Sequence, residues 1–301
     1  MPRARRIPSF LMGADPELAV YKNGRFFSAD HIDGIEMDGH FGLDGCRRIA
    51  ELRPDPAEEP EQLVENIKIC LAEGLEKYPA LRACELKAGS CWSGNPIGGH
   101  IHFGIRGARR TGSIYAKCLD ALVAQVTIPL EERGAAIARR EDYGSLGDWR
   151  IQAHGFEYRP LSSWLTSPRV ALGVLSLAKL VATAVKMDTN SNFHVKCSRL
   201  LPDDTSVSEA GIRRMRGRLD AIKTVIADCA LFPRYDKSIS FLYALAEDNR
   251  TWETDRTLVE EWGLADLAAR RRGRPAARVV EPTMLAAQTI EALLTGRVAG
   301  L

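Results

Sequence analysis

The chain has no paired cysteine motif. Its seven cysteines, at positions 46, 70, 84, 91, 118, 197 and 229, form an odd set without a CxxC. That argues against a disulfide framework and against a cysteine-rich zinc site, and it fits a reducing cytoplasm. Charge bias is also nearly absent: 41 basic residues stand against 39 acidic ones, for a formal net charge of +2. So even a balance implies no polyanionic partner for the molecule as a whole and leaves nucleic acid unsupported. The sequence is expected to lack a membrane span of about 18 apolar residues. MPRARRIPSF meets Asp15 and Glu17 before an apolar core of signal length develops, so no membrane association or export is expected. No internal repeat is visible.

What is present is a chain that changes character near its middle. The first half reads as strands in FLMGADPELAVY (10–21), RFFSA (25–29), RRIAELR (47–53), LRACELKAG (81–89), GGHIHFGIR (98–106) and WRIQAHGFEYR (149–159). These are short apolar or alternating runs bounded by Gly, Pro and Asp. Two helices interrupt them, over 60–78 and over 111–133 as far as Pro129. Beyond residue 160 helical periodicity dominates, in 167–186, 208–230, 253–271 and 282–296. With 45% hydrophobic residues in 301, the pattern predicts one intimate α+β unit with antiparallel sheet and segregated helices.

Four of the predicted strands carry polar residues two apart, where a structural strand prefers Val or Ile. The pairs are Asp15 and Glu17, Glu51 and Arg53, His100 and His102, and Glu157 and Arg159. Strand alternation sends both members of a pair to one face of the sheet. Any single pair reads equally well as a solvent-facing salt bridge. If the four strands share a sheet, one face gathers acids, imidazoles and guanidiniums at a desolvation cost that ions or ligands must offset. Crowded carboxylates with an occasional imidazole suit Mg²⁺ or Mn²⁺, and the arginines suit phosphate or carboxylate oxygens.

The order of these motifs resembles the carboxylate-amine ligases of the glutamine synthetase-like superfamily. GADPEL, DG…ELRP, GGHIHFG and EYR together are similar to the phage-type COOH-NH2 ligases (amidoligases). The resemblance covers about residues 8 to 185. It implies a curved antiparallel sheet with flanking helices and a mostly helical C-terminal half. A catalytic core over 1–187 would carry a helical extension over 188–301 packed against it. It also implies ATP and divalent cations (Mg²⁺ or Mn²⁺) on one sheet face, and amide formation through an acyl phosphate. By that resemblance Asp15, Glu17, Glu51, His100 and Glu157 would bind metal, with Asp44 a further acid. Arg159 and Arg53 would stabilise the transferring phosphate. His102, Asn95 and Arg150 would lie toward the nucleotide, and Gly98 and Gly99 would let backbone approach the phosphates. The first acid here is Asp where the family has Glu, and the family's arginine-rich segment is represented by Arg139, Arg140 and Arg150. The expected partners are small-molecule or peptide carboxylates and amines; a homo-oligomer is left open.

Two other readings use the same residues. A metal-dependent hydrolase would also carry HxH, acids and arginines. A DNA-associated accessory protein of phage type would use RRRGRP (270–275) and RRMRGR (213–218), although such arginines equally form solvated faces. Trp92, Trp149 and Trp164 are expected in the core or a pocket wall. Tyr143 and Gly144 are expected in a surface loop, and Cys46 and Cys91 lack a partner base in sequence.

Overall fold

The computed structural model describes residues 7–202, 207–253 and 256–269. Its first strand organises the rest. β1 (Met12–Lys22) buries Met12, Ala14, Leu18 and Val20 on one face while Gly13, Asp15 and Glu17 alternate onto the other. The further strands are β2 (Arg25–Phe27), β3 (Phe41–Leu43), β4 (Ala50–Leu52), β5 (Glu85–Lys87), β6 (Cys91–Trp92), β7 (Asn95–Pro96), β8 (Gly99–Phe103), β9 (Trp149–Gln152) and β10 (Gly155–Tyr158). Across the main sheet the order is β3-β4-β1-β8-β10-β9, antiparallel throughout. The C-terminal half of β1 leaves that plane to pair with β2 and β5, so the sheet curves about its longest strand. β6 and β7 form a separate small hairpin.

Register turns the sequence pairs into one face. Asp15 lies opposite His100, Gly13 opposite His102, and Glu17 opposite Glu51. On the far side of β8, His102 lies opposite Glu157, which in turn lies opposite Arg150. Because directly opposed residues point the same way, all four i, i+2 pairs point to the same side. The other side carries Met12, Ala14, Ile101, Phe103, Phe156 and Tyr158 into the core.

Helices flank the sheet, several of them on that apolar side. They are α1 (Pro60–Lys77), α2 (Ala108–Leu119), α3 (Gln125–Thr127), α4 (Arg133–Asp142), α5 (Pro168–Met187), α6 (Asn192–Ser198), α7 (Glu209–Gly217), α8 (Leu219–Ala227), α9 (Phe232–Glu247), α10 (Leu258–Glu261) and α11 (Ala265–Ala269). α5 begins with Pro168 after Ser167, whose hydroxyl accepts from Val170 N–H at 3.2 Å, a preferred helix start. It packs against α1, α2 and α9, so the helical half shares its core with the sheet.

α5 corrects one expectation. By length and mean hydropathy it is long and apolar enough to cross a membrane, where no such stretch was expected. Its residues Val170 to Thr183 are all buried inside the fold, which is how the central helix of a packed core meets the same criterion. Other boundaries also shift. The segment over 149–159 is two strands joined by a turn at Ala153 and His154. α4, α6 and α9 form where no helix was read, and 208–230 breaks into α7 and α8 at Arg218. RRMRGR lies on α7, where Met215 is buried, Arg213 pairs with Glu209 and Arg216 donates to Pro129 O. The helix expected over 282–296 and the RRRGRP segment lie outside the described residues.

Leu177 is fully buried on α5. Leu177→Ala is expected to lower unfolding free energy by about 2–5 kcal/mol. Urea denaturation would measure it, and a loss well below that range would mean that α5 is not the centre of the core.

Candidate active site

The polar face holds two adjoining groups of metal-ligand atoms. Asp15, His100 and Glu157 form one, and Glu17, Asp44 and Glu51 form the other; within each group the atoms lie within 4.8 Å of one another. In the first group His100 Nδ1 is 3.3 Å from Asp15 Oδ1 and 3.6 Å from Glu157 Oε1. Both oxygens are buried and lie within ion-pair distance of a cationic side chain, His100 for Asp15 and Arg159 for Glu157, but neither contact has the geometry of a full hydrogen bond. Buried acceptors left in this state are costly unless something else satisfies them. A hard divalent cation meets that need, since oxygen-rich donor sets with one imidazole are its usual surroundings.

Electrostatics point the same way. Burial pushes the Glu51 carboxyl up to about 9, with the charge of Asp15 adding to it and Arg53 opposing. Burial likewise pushes Glu17 up to about 7, against His100 and with Asp44. Asp15 is the exception: burial raises it, but hydrogen bonds from His100 and His102 outweigh burial and hold it well below the usual carboxylate range. His100 is raised, as its pairing with Asp15 overcomes the desolvation that would neutralise it. The face therefore carries more acid than its own cations can keep ionised.

Arginines fence the first group. Glu157 is fully buried, and its Oε2 accepts from Arg150 Nε and Gln152 Nε2, each at 2.7 Å. Arg159 Nε lies 3.2 Å from Glu157 Oε1, and the same guanidinium donates to the Tyr143 hydroxyl. That hydroxyl also meets His100 Nε2 at 2.7 Å. Burial raises the Tyr143 phenol to about 12, so it stays neutral and bridges imidazole and guanidinium. On the other side His102 Nε2 is 3.1 Å from Asp15 Oδ2, and its Nδ1 is 3.2 Å from His154 Nε2. A cavity of about 380 Å³ opens there, walled by Leu11, Pro54 and Pro56 and edged by Asp15, Arg53 and His102.

Several residues expected near phosphate are engaged with the protein itself. Asn95 donates to Trp92 O and Ser93 O, both at 3.0 Å, closing the β6–β7 turn. Gly98 gives its N–H to Glu17 Oε2 at 2.6 Å, and the place of a side chain there is filled by the His100 ring. A Cβ on Gly99 would meet Ser162 O at 2.5 Å and Trp164 at 2.6 Å. The close approaches that require these glycines are therefore to protein atoms. Arg53 pairs with Glu51 and donates to Leu43 O at 2.8 Å and Gly39 O at 3.3 Å. Arg139 and Arg140 are buried on α4. Arg140 grips Glu131 with two bonds of 2.6 and 2.7 Å, and Arg139 donates only to backbone carbonyls.

Other residues join the face without having been expected there. Tyr143 is a wall of the site although its loop read as surface. His154 sits in a turn, where no periodicity marks it. Gln152 was legible, because it follows Arg150 by two on β9 and so shares its face. Cys46 is exposed and Cys91 half-buried, and burial pushes both thiols up. Neither has the depressed thiol of a nucleophile. Trp164 is fully buried, and Trp92 and Trp149 are partly so.

Fold and face together mark a class: a mixed α/β protein whose curved antiparallel sheet carries a carboxylate- and imidazole-lined surface. The sequence model of the family described as "Phage phiEco32-like COOH.NH2 ligase-type 2" matches residues 12–264, and the chain belongs to that family. No curated protein sequence matches it. Among solved structures it is similar to a bifunctional glutathione synthetase from Pasteurella multocida, at 10% identity and a TM-score of 0.39, over 95% of this chain and 52% of that one. It is also similar to the complex between the prokaryotic ubiquitin-like protein Pup and its ligase PafA, at 11% identity and a TM-score of 0.43, over 95% of this chain and 77% of that one. The chain thus spans about half the length of the first.

The raised acids set a pH dependence for the cation-free protein. Folded Glu17 and Glu51 keep protons that the unfolded chain releases near 4.5, so their contribution is complete below that pH and is lost as pH rises through about 7 and about 9. Asp15 acts oppositely, adding stability above its ordinary range. The thermal midpoint in chelator is expected to fall between about pH 5 and pH 8, and Mn²⁺ to restore more of it at the higher pH. A flat profile, unaffected by cation, would show that the face is not overloaded with acid.

Proposed function

We propose that the chain joins a carboxylate to an amine with cleavage of ATP, through an acyl phosphate. Its family and the paired acid groups on one sheet face support this reading. The observation that carries it is the buried pair of oxygens on Asp15 and Glu157, short of full hydrogen bonds, set beside His100 and closed off by Arg159. Divalent cations, Mg²⁺ or Mn²⁺, would neutralise phosphate charge at this face when bound. Asp15, His100 and Glu157 would hold one, and Glu17, Asp44 and Glu51 another.

The protein's own groups then have separable tasks. Arg159 presents a planar, permanently charged fork to oxygens of the transferring group, and Arg150 supports the same edge from β9. Neither step needs a protein nucleophile, since the substrate carboxylate attacks the γ-phosphate and the amine attacks the resulting acyl group. A carboxylate at the face that is not holding a cation can receive the proton the amine must lose. Tyr143 holds His100 from the Nε2 side, leaving Nδ1 directed at the carboxylates. His102 and the apolar-walled cavity beside it form the nucleoside side of the site. The helices after residue 187 shape the access of the second substrate.

Two measurements test this. Purified protein with ATP and Mg²⁺ should release ADP only with a matching carboxylate and amine. Substrate labelled with ¹⁸O in its carboxylate should transfer label to inorganic phosphate in step with amide product. Label found in AMP, or phosphate oxygen drawn from solvent, would overturn the acyl-phosphate route, the second in favour of a hydrolase.

Substitutions at the arginine edge should separate charge from shape. Arg159→Lys keeps the charge but loses the fork, and turnover should fall by about 10²-fold or more. Tyr143→Phe removes the bridging hydroxyl, and should weaken Mn²⁺ affinity about tenfold while leaving the fold intact. Unchanged turnover in the lysine variant would remove Arg159 from the reaction.

A further inference from the structure

A second cavity, of about 490 Å³, adjoins the site through His154. Its cationic wall is Arg106, Arg109 and Arg110, and Gln152 and Ile151 complete the side toward β9. All three arginines are exposed, and among the described residues their guanidiniums make no ion pair or hydrogen bond. Their placement works against folding. Arg109 and Arg110 lie in the first turn of α2, which contains no acidic residue and has no side-chain cap. Three like charges within five residues repel one another, and the positive end of the helix adds to that repulsion. Some exposed arginines elsewhere are paired, as Arg234 with Glu59 and Arg213 with Glu209. An uncompensated trio beside a reaction centre implies that its counter-charge arrives with a ligand.

That ligand's position narrows its identity. His154 lines both cavities, and its Nε2 meets His102 Nδ1 at 3.2 Å, so a molecule in the arginine cavity lies one imidazole pair from the acids. ATP phosphates have their complement at the acid groups and Arg159, and the nucleoside has an apolar-walled place beside Pro54 and Pro56. The negative charge that matches the trio belongs to the other reactant. We propose that this cavity binds the anionic remainder of the carboxylate substrate, so that the enzyme acts on a carboxylate bearing two or more further negative charges. The inference rests on the ligase reading for the word substrate, but not for the anion site. Arg106, Arg109 and Arg110 would hold the distal charges while the reacting carboxylate extends past His154 toward Arg159.

Calorimetry of the full chain at low salt tests this with triglutamate, acetate and Mg·ATP as probes. Triglutamate should bind far better than acetate, and more weakly as salt rises. The triple variant Arg106→Gln/Arg109→Gln/Arg110→Gln should lose about tenfold or more in triglutamate affinity and stay within about twofold for Mg·ATP. Arg213→Gln/Arg214→Gln, which removes exposed charge elsewhere, should change neither. The triple variant's thermal midpoint at low salt should equal or exceed that of the parent, because removing the trio relieves repulsion. Equal triglutamate binding by parent and triple variant, or none by the parent, would overturn the proposal. So would a lost Mg·ATP affinity in the variant, which would give the cavity to the nucleotide, or a lowered midpoint, which would make the arginines structural. Binding is read without turnover, so a failure of ADP release would remove the ligase reading and leave this result to be judged separately.

Discussion

A single buried guanidinium ties the site together. Arg139 on α4 is fully buried and donates to Ile97 O at 2.8 Å, Pro160 O at 2.9 Å, Leu161 O at 2.9 Å and Arg159 O at 3.3 Å. These carbonyls lie just before β8 and just after β10, the strands that carry His100 and Glu157. A fixed fork of donors thus sets the spacing of the two motif strands from outside the sheet. The Tyr143 loop depends on the same residue. Gly144 has φ +73°, and a Cβ there would meet Arg139 Nη1, so the turn that delivers Tyr143 to His100 can follow Arg139 only with glycine. Burial lowers Arg139 to about 10, still well above neutrality, so the clamp stays charged.

The face that this clamp supports is built at a cost to stability. Acids raised by burial, buried oxygens short of full hydrogen bonds and three arginines without ion pairs at one cavity are all departures from what folding alone favours. They concentrate on one side of the sheet and its rim, although burial raises Asp120 and Glu253 elsewhere as well. The opposite side is mostly apolar, with stacked Phe103 and Phe156 rings 4.9 Å apart and the buried helix α5 beyond. Tyr158 joins the two sides: it lies between Glu157 and Arg159 in sequence but points into the core, where its hydroxyl donates to Asp120 at 2.7 Å.

How much of this was legible in the sequence follows from the range of each interaction. Strand alternation depends on residues two apart, so the pairs at 15 and 17, 100 and 102, and 157 and 159 could be placed on one face before any partner strand was known. The family motifs added the order in which those strands meet. Arg139 could not be read in the same way. Its helix is short and strongly polar, and its partners are carbonyls about 20 and 42 residues away, which no local pattern records. The local role of Asn95 was hidden for a related reason: its amide nitrogen closes the turn through Ser93 and Gly94, both at positive φ, which its place before HxH does not record. His154 and Tyr143 occupy turns, where side-chain direction follows from backbone geometry and not from period.

The central position of β1 also bears on how the protein is made. Its partners in the polar face are β4, about 35 residues later, β8, more than 80 residues later, and through β8 the still more distant β10. Such long-range pairing closes slowly. During synthesis Glu17, Asp44 and Glu51 all emerge early, whereas Asp15 must wait for His100 and then for Glu157 before its own ligand group is whole. The nascent chain therefore passes through about the first half of its translation with that group dispersed and hydrated. At the first group, competence to capture a cation would arise as a cooperative event of folding, coupled to the arrival of the strand that brings Arg159.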